Sequence, residues 1–216
     1  MNTETRSSSV KKSGNGNAEP SGQPTSIVTA DVEVVGVTSL LQHRWSESAE
    51  GESGKSTRAA LVVRGTPREE AEKVVYREPD GSIYHPGAAF ARLIREAGGG
   101  HKLKGTRKSA KYVVPAAVLV MDDTVPLFGP DGKRLKDFEV DSRPVVIPST
   151  KGRVMRHRPR FDEWTAKLRI RVNTAILPIA FVHQLLVEGG QQLGIGDYRP
   201  DRGGPFGTFR VVEFRE

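Results

Sequence analysis

An α+β fold with an antiparallel sheet is what this 216-residue chain predicts, on three observations. The segment EWTAKLRIRVN alternates Trp164, Ala166, Leu168, Ile170 and Val172 with Lys167, Arg169 and Arg171, the period-two pattern of a half-exposed strand. Two other segments, AAFARLIREA and IAFVHQLLVE, space their apolar residues for one buried helical face. In chain order the regular elements run strand, helix, strand, strand, helix, strand. That is the split βαβ order of ferredoxin-like, RRM-like folds, in which two helices cover one face of the sheet.

The chain divides into a tail, residues 1–26, and a single domain, residues 27–216, interrupted by insertions at about 46–75 and 122–163. The tail is rich in Ser, Gly and Asn and is expected to be disordered. The first strand is read from Val32 and Val34 alternating with Glu33, running on into Val35 and Val37. From Trp45 to about Lys73 the periodicity fails and charges of both signs mix, which reads as an inserted arm. REPDGSIYHPG is a hairpin with Asp80-Gly81 at its turn. The first helix follows, with Phe90, Leu93, Ile94 and Ala97 inward and Gly98 to Gly100 as its stop. YVVPAAVLVMDD reads as a mostly buried strand with Pro115 at an edge or bulge. Beyond the alternating strand, Pro178 opens the second helix and Gly189-Gly190, or a turn later, ends it. GTFRVVEF is the last strand, Phe209, Val211 and Glu213 read as facing one way, Val212 and Phe214 the other.

Composition narrows the function classes. Hydrophobic residues make up 36% and charged residues 27%, an ordinary globular balance, and no run approaches the ~18–20 apolar residues of a membrane span. The N-terminus has no apolar stretch of a secretory kind. There is no cysteine, so disulfides, thiol nucleophiles and thiolate-held metals are excluded and the cytoplasm is the expected compartment. The net charge is +7, and the first 26 residues hold three cations against two carboxylates, so almost all of the excess belongs to the domain. A polyanion is the partner such a body suits.

Two basic blocks concentrate that charge. HKLKGTRKSAK carries Lys102, Lys104, Arg107, Lys108 and Lys111, and KGRVMRHRPR carries Arg153, Arg156, His157, Arg158 and Arg160. Each is dense enough to neutralise several phosphates. Tyr84, Phe161 and Tyr198 lie near them in sequence and could stack on bases. Between the second helix and the last strand, GIGDYRPDRGGPFGTF sets Arg199 and Arg202 among Gly194, Gly196, Gly203 and Gly204, and glycine lets a backbone approach another chain or a phosphate closely. AEGESGKST, residues 49–57, matches a relaxed phosphate-loop pattern, but its flanks are too polar for a buried strand and too short for a phosphate-binding helix. No two of the five histidines sit at metal-ligand spacing, and His43, beside Arg44, is the best placed for a phosphate contact or a general base. No catalytic set, metal or cofactor is read from the sequence.

A βαββαβ order with a glycine-rich loop before its last strand resembles the RAMP superfamily, the RNA-binding proteins of CRISPR systems. The resemblance spans roughly residues 28–216 and is nearest to the backbone subunit that polymerises along guide RNA, because those proteins also carry an arm inserted after the first strand. RPRFDEWTAKLRIRV through GIGDYRPDRGGPFGTF also looks like an uncharacterised group of phage-encoded proteins. The resemblance implies that Gly194 to Gly207 supports RNA or subunit contacts, that the GESGKST arm is thumb-like, and that Arg44 and the basic blocks line the strand groove. The chain is shorter than such backbone subunits and has no acidic residue in the arm suited to target cleavage.

The resulting expectation is a non-enzymatic single-stranded nucleic-acid-binding protein, RNA favoured, of antiviral-defence type. It would form a homo-oligomer or filament along the strand, with no membrane partner, possible membership of a larger ribonucleoprotein, and phosphate neutralisation as its means of binding. The alternatives are a phage single-stranded DNA-binding or annealing protein, a metal-independent endoribonuclease using His43 or His157, and an NTPase acting through GESGKST.

Overall fold

The computed structural model describes residues 26–45, 65–103, 105, 107–146 and 152–216. The tail, the GESGKST segment and Lys104 lie outside them. The elements in order are β1 (Ile27–Gly36), β2 (Leu40–Leu41), α1 (Pro67–Lys73), β3 (Tyr84–Pro86), α2 (Gly87–Ala97), α3 (Val114–Ala117), β4 (Val118–Val120), β5 (Thr124–Phe128), β6 (Glu139–Val146), β7 (Arg153–Phe161), β8 (Thr165–Asn173), α4 (Ile179–Gln192) and β9 (Phe209–Arg215).

The main sheet runs β3-β5-β8-β1-β9, with β4 also on β8, and each pairing is antiparallel. Reduced to its core this is a βαββαβ unit with its first and third strands in the middle, as the sequence order predicts. The alternation on β8 is realised in full: Ala166, Leu168, Ile170 and Val172 are buried while Lys167, Arg169 and Arg171 are exposed. Ala30, Val32 and Val34 of β1 lie on the same inner face. Phe90, Leu93 and Ile94 of α2 and Val182, Leu185 and Leu186 of α4 close over it. Each large apolar side chain withdrawn in this way contributes about 1.5–3 kcal/mol.

Of the two ends read for the second helix the later one holds, since α4 runs through Gly189 and Gly190 to Gln192. A Cβ on Gly189 would lie 2.4 Å from Leu93 Cδ2, and one on Gly190 would lie 2.6 Å from the Phe209 ring. The pair is where α4 comes closest to α2 and β9, so packing requires glycine here despite its cost of about 1 kcal/mol in a helix interior.

Three expectations change. Pro115 sits in the first turn of α3 rather than in a strand, where its missing N–H costs nothing. The inserted arm holds a formed helix, α1, stabilised by a reciprocal capping box between Thr66 and Glu69. On β9 the register against β1 slips between Glu33 and Val34, so Val212 is an extra residue. The slip moves Phe214, not Glu213, to the half-buried side.

A second sheet, β2-β7-β6, stands off the first. β5 belongs to the main sheet, so the main sheet reaches into the 122–163 segment read as inserted. α1 lies against β7 and β6, and the Arg68 guanidinium stacks 3.8 Å from the centre of the Phe138 ring. The two sheets meet around Trp164, which is 2% exposed and donates from Nε1 to the Thr38 carbonyl at 3.0 Å. Its indole fills the space beside Gly36. Trp164→Ala should therefore lower unfolding stability by about 3–5 kcal/mol in denaturant titration.

Candidate nucleic-acid interface

The candidate site is a cleft of about 390 Å³ between the first turns of α2, the end of β2 and the glycine-rich loop. Its walls include His43, Tyr76, His85, Arg92, Asp197 and Arg199.

Its floor is organised by Gln42, which is fully buried. The Gln42 Oε1 accepts from the Tyr76 amide at 3.0 Å, and its Nε2 donates to the Tyr84 carbonyl at 2.7 Å. These two bonds fix which end of the carboxamide is the donor. Nε2 also approaches His85 Nδ1 at 3.5 Å, so Nδ1 is the accepting nitrogen. Burial, reinforced by the Arg199 charge, pushes the His85 imidazole down to about 3. His85 is thus neutral, and with Nδ1 accepting, its ring hydrogen sits on Nε2.

The loop is held against β2 by backbone bonds: Asp197 N–H donates to the Leu41 carbonyl at 2.8 Å, and Gly207 N–H to the Ser39 carbonyl at 2.8 Å. Gly196 makes that docking possible, because at φ +78 a Cβ there would stand 2.3 Å from the Leu41 oxygen. Gly204 packs on the Tyr198 carbonyl and Gly194 on Gly207, while Gly203 faces open space. Most of the predicted glycines therefore serve close approach within the chain. The loop is tied to the second sheet as well. Arg158 Nε lies 2.6 Å from Asp197 Oδ2, an ion pair by distance rather than a well-aligned hydrogen bond, and Arg143 sits 4.5 Å over the Phe206 ring.

The two basic blocks arrive at opposite ends of this cleft. At one end Glu96 lines the wall and binds Lys111 Nζ at 2.6 Å. At the other, Asp197 binds Arg158, with Arg156 near enough to act on His43. His43 stays below the usual imidazole value, first through partial withdrawal from water and then through Arg156 and Arg158, against the opposing pull of Asp197. Arg92 is an exposed residue of the cleft wall, and Arg44, Lys102, Arg107, Lys108, Arg153, Arg156 and Arg202 are exposed as well.

Several predicted cations are committed internally. Arg158 is buried, Arg160 pairs with Asp162 at 2.6 Å, and Arg199 binds the Gly196 carbonyl and Asp201, each at 2.9 Å. His157 takes a 2.7 Å bond with the Ser142 hydroxyl. Phe161 is core, not a stacking platform, whereas Tyr198 is 39% exposed at φ 48. The outer face of the main sheet carries its own compensation, Lys167 to Glu33 at 3.0 Å and Arg169 to Asp122 at 2.8 Å. Sequence reasoning did not find Gln42, Tyr76, His85 or Arg92. The motif HP before the first helix was the one available sign of a polar group at that helix's start.

The fold is α+β with antiparallel sheets, and the cleft beside it is lined by Arg92 and Arg199 together with Glu96, Asp197 and Asp201. No family profile and no curated protein matches the chain. Among solved structures the chain is similar to one in the cryo-EM structure of the Type III-B Cmr-beta bound to cognate target RNA, at 14% identity and a TM-score of 0.48. The likeness covers 88% of this chain, which spans 60% of the length of that one. It is also similar to Cmr6 from Pyrococcus furiosus, at 11% identity and a TM-score of 0.41 over 85% of this chain and 98% of that one.

Because the folded state resists protonating His85, the stability it contributes is full above pH 6.5 and is lost as pH falls from there towards 3. His43, shifted in the same direction, adds to the slope. The unfolding free energy of His85→Gln should fall less steeply than that of the parent across this window, as read by urea titration at a series of pH values.

Proposed function

We propose that this protein binds single-stranded RNA without cleaving it, the strand running past the cleft from the Lys102–Lys111 block to the β6–β7 hairpin. The observation that carries the reading is the convergence of two blocks, far apart in sequence, on opposite ends of one cleft. The cations assigned to the strand are Lys102, Arg107, Arg153 and Arg156, which have no carboxylate partner among the described residues, together with Arg44, Arg92 and Lys108, all of them exposed. Lys104 and Lys111 extend the first block. Arg158, Arg160, Arg199 and Arg202 hold the loop and the hairpin in place, and the glycines shape the loop that forms the cleft wall. The RAMP-like order of elements favours RNA over single-stranded DNA. Assembly into a homo-oligomer or filament, in a ribonucleoprotein of antiviral-defence type, belongs to the same reading, as does a cytoplasmic location. Among the described residues no helix is long and apolar enough to cross a membrane.

Binding to a labelled RNA oligonucleotide should weaken steeply with salt, and Arg153→Ala with Arg156→Ala should reduce the slope of log K against log salt by about 0.7 per lost contact. A flat salt response in the parent protein overturns the reading.

One observation favours a second reading, metal-independent RNA cleavage: His43 and Tyr76 share the cleft, and a neutral imidazole can take a proton. Labelled RNA incubated with the protein in EDTA should stay intact. Cleavage that disappears in His43→Ala would replace the binding role with this one.

A further inference from the structure

The start of α2 is an unfilled acceptor site. Gly87 N–H donates to the Asp123 carbonyl at 2.8 Å, but the next two amides, of Ala88 and Ala89, have no side-chain cap. The first turn carries no acidic residue either. Free N–H groups at a helix N-terminus favour an anion through both hydrogen bonding and the helix dipole.

A second observation points to the same place. His85 is 3% exposed and lines the cleft beside Ala88 and Ala89. Its Nδ1 is engaged by Gln42, and its Nε2, which carries the hydrogen, makes no hydrogen bond among the described residues. That N–H is not sealed off: it opens on the cleft, where an entering acceptor can reach it. The cations Arg92 and Arg199 complete the wall and share Asp201, at 3.6 and 2.9 Å. The carboxylates of the wall are engaged: Asp197 by Arg158 at 2.6 Å, Asp201 by Arg199 at 2.9 Å, and Glu96 by Lys111 at 2.6 Å.

We propose that this cleft is a phosphate-binding subsite, in which the Ala88 and Ala89 amides and His85 Nε2–H donate to phosphate oxygens and the exposed Arg92 balances the charge, Arg199 staying on the Gly196 carbonyl and Asp201. A neutral imidazole suits this role, because it donates one directed bond without competing with the guanidinium groups. Calling the phosphate part of a nucleic acid rests on the RNA-binding reading; the pocket chemistry does not. The phosphate could belong to an RNA chain end or an internal linkage, or it could be free.

The test is amide chemical-shift titration of the full chain with inorganic phosphate at constant ionic strength, against a sodium chloride control. Saturable shifts at Ala88 and Ala89 are expected. Ala88→Asp places a carboxylate in the first turn at an exposed position, where it favours the helix, and should abolish those shifts while leaving thermal stability unchanged or higher. His85→Phe should weaken phosphate binding about tenfold. Absence of saturable shifts, or equal shifts in Ala88→Asp, overturns the subsite.

RNA oligonucleotides with a 5′-phosphate or a 5′-hydroxyl form the second arm. Shifts at the same amides with only the phosphorylated RNA assign the pocket to a chain end, and shifts with both assign it to an internal linkage. If inorganic phosphate binds and neither RNA does, the subsite stands as one for a free phosphate and the RNA-binding reading falls.

Discussion

The buried carboxamide of Gln42 is the constraint on which the cleft depends. Three polar groups from two places in the chain converge on it at the end of β2: the Tyr76 amide after α1, and the Tyr84 carbonyl and His85 ring of β3. Because its oxygen and nitrogen are each claimed by a backbone partner, the amide has one orientation, and through it His85 has one tautomer. A residue with no charge thereby decides the hydrogen-bonding character of the cleft floor. It also joins the second sheet to the edge of the first, so the loss of one amide would be felt in both.

Charge is arranged differently on the two faces of the molecule. On the outer face of the main sheet, register places Glu33 opposite Lys167, which pairs with it, and Asp31 opposite Arg169, which pairs with Asp122, while Arg171 has no carboxylate partner among the described residues. Around the cleft the carboxylates lie inward, bound to arginine and lysine at its ends, while further cations remain outside. An excess of +7 spread evenly would make a weak field everywhere. Local pairing offsets part of it on the sheet, where Arg171 and Arg210 keep no carboxylate partner among the described residues, and uneven pairing of this kind gives the field the local strength that draws in a flexible polyanion.

The alternating strand and both main helices were legible in the sequence because burial on one side imposes a period, and that period survives whatever the tertiary contacts are. Other elements were set by contacts the sequence does not display. Gly189 and Gly190 have the look of a helix stop, and only the proximity of Leu93 and Phe209 makes them a packing surface. Pro115 is legal at an edge strand or a helix start, and the neighbours decide. The basic blocks were visible as charge runs, but Arg158 and Arg160 carry the same letters as Arg153 and Arg156 while being held by Asp197 and Asp162. The cleft itself was hidden, since Gln42, Tyr76, His85 and Arg92 form no local pattern and meet only through sheet pairing.

The extra residue at Val212 bears on how copies of the chain can associate. β9 is the outer strand of the main sheet, the place where a neighbour could extend the ladder. With its phase broken near the middle and Arg210, Glu213 and Arg215 along it, that strand presents no continuous row of evenly spaced backbone groups. Growth by strand addition is disfavoured along this border, so side-by-side copies would meet through side-chain surfaces, where spacing is set by whatever lies between them rather than by the repeat of a sheet.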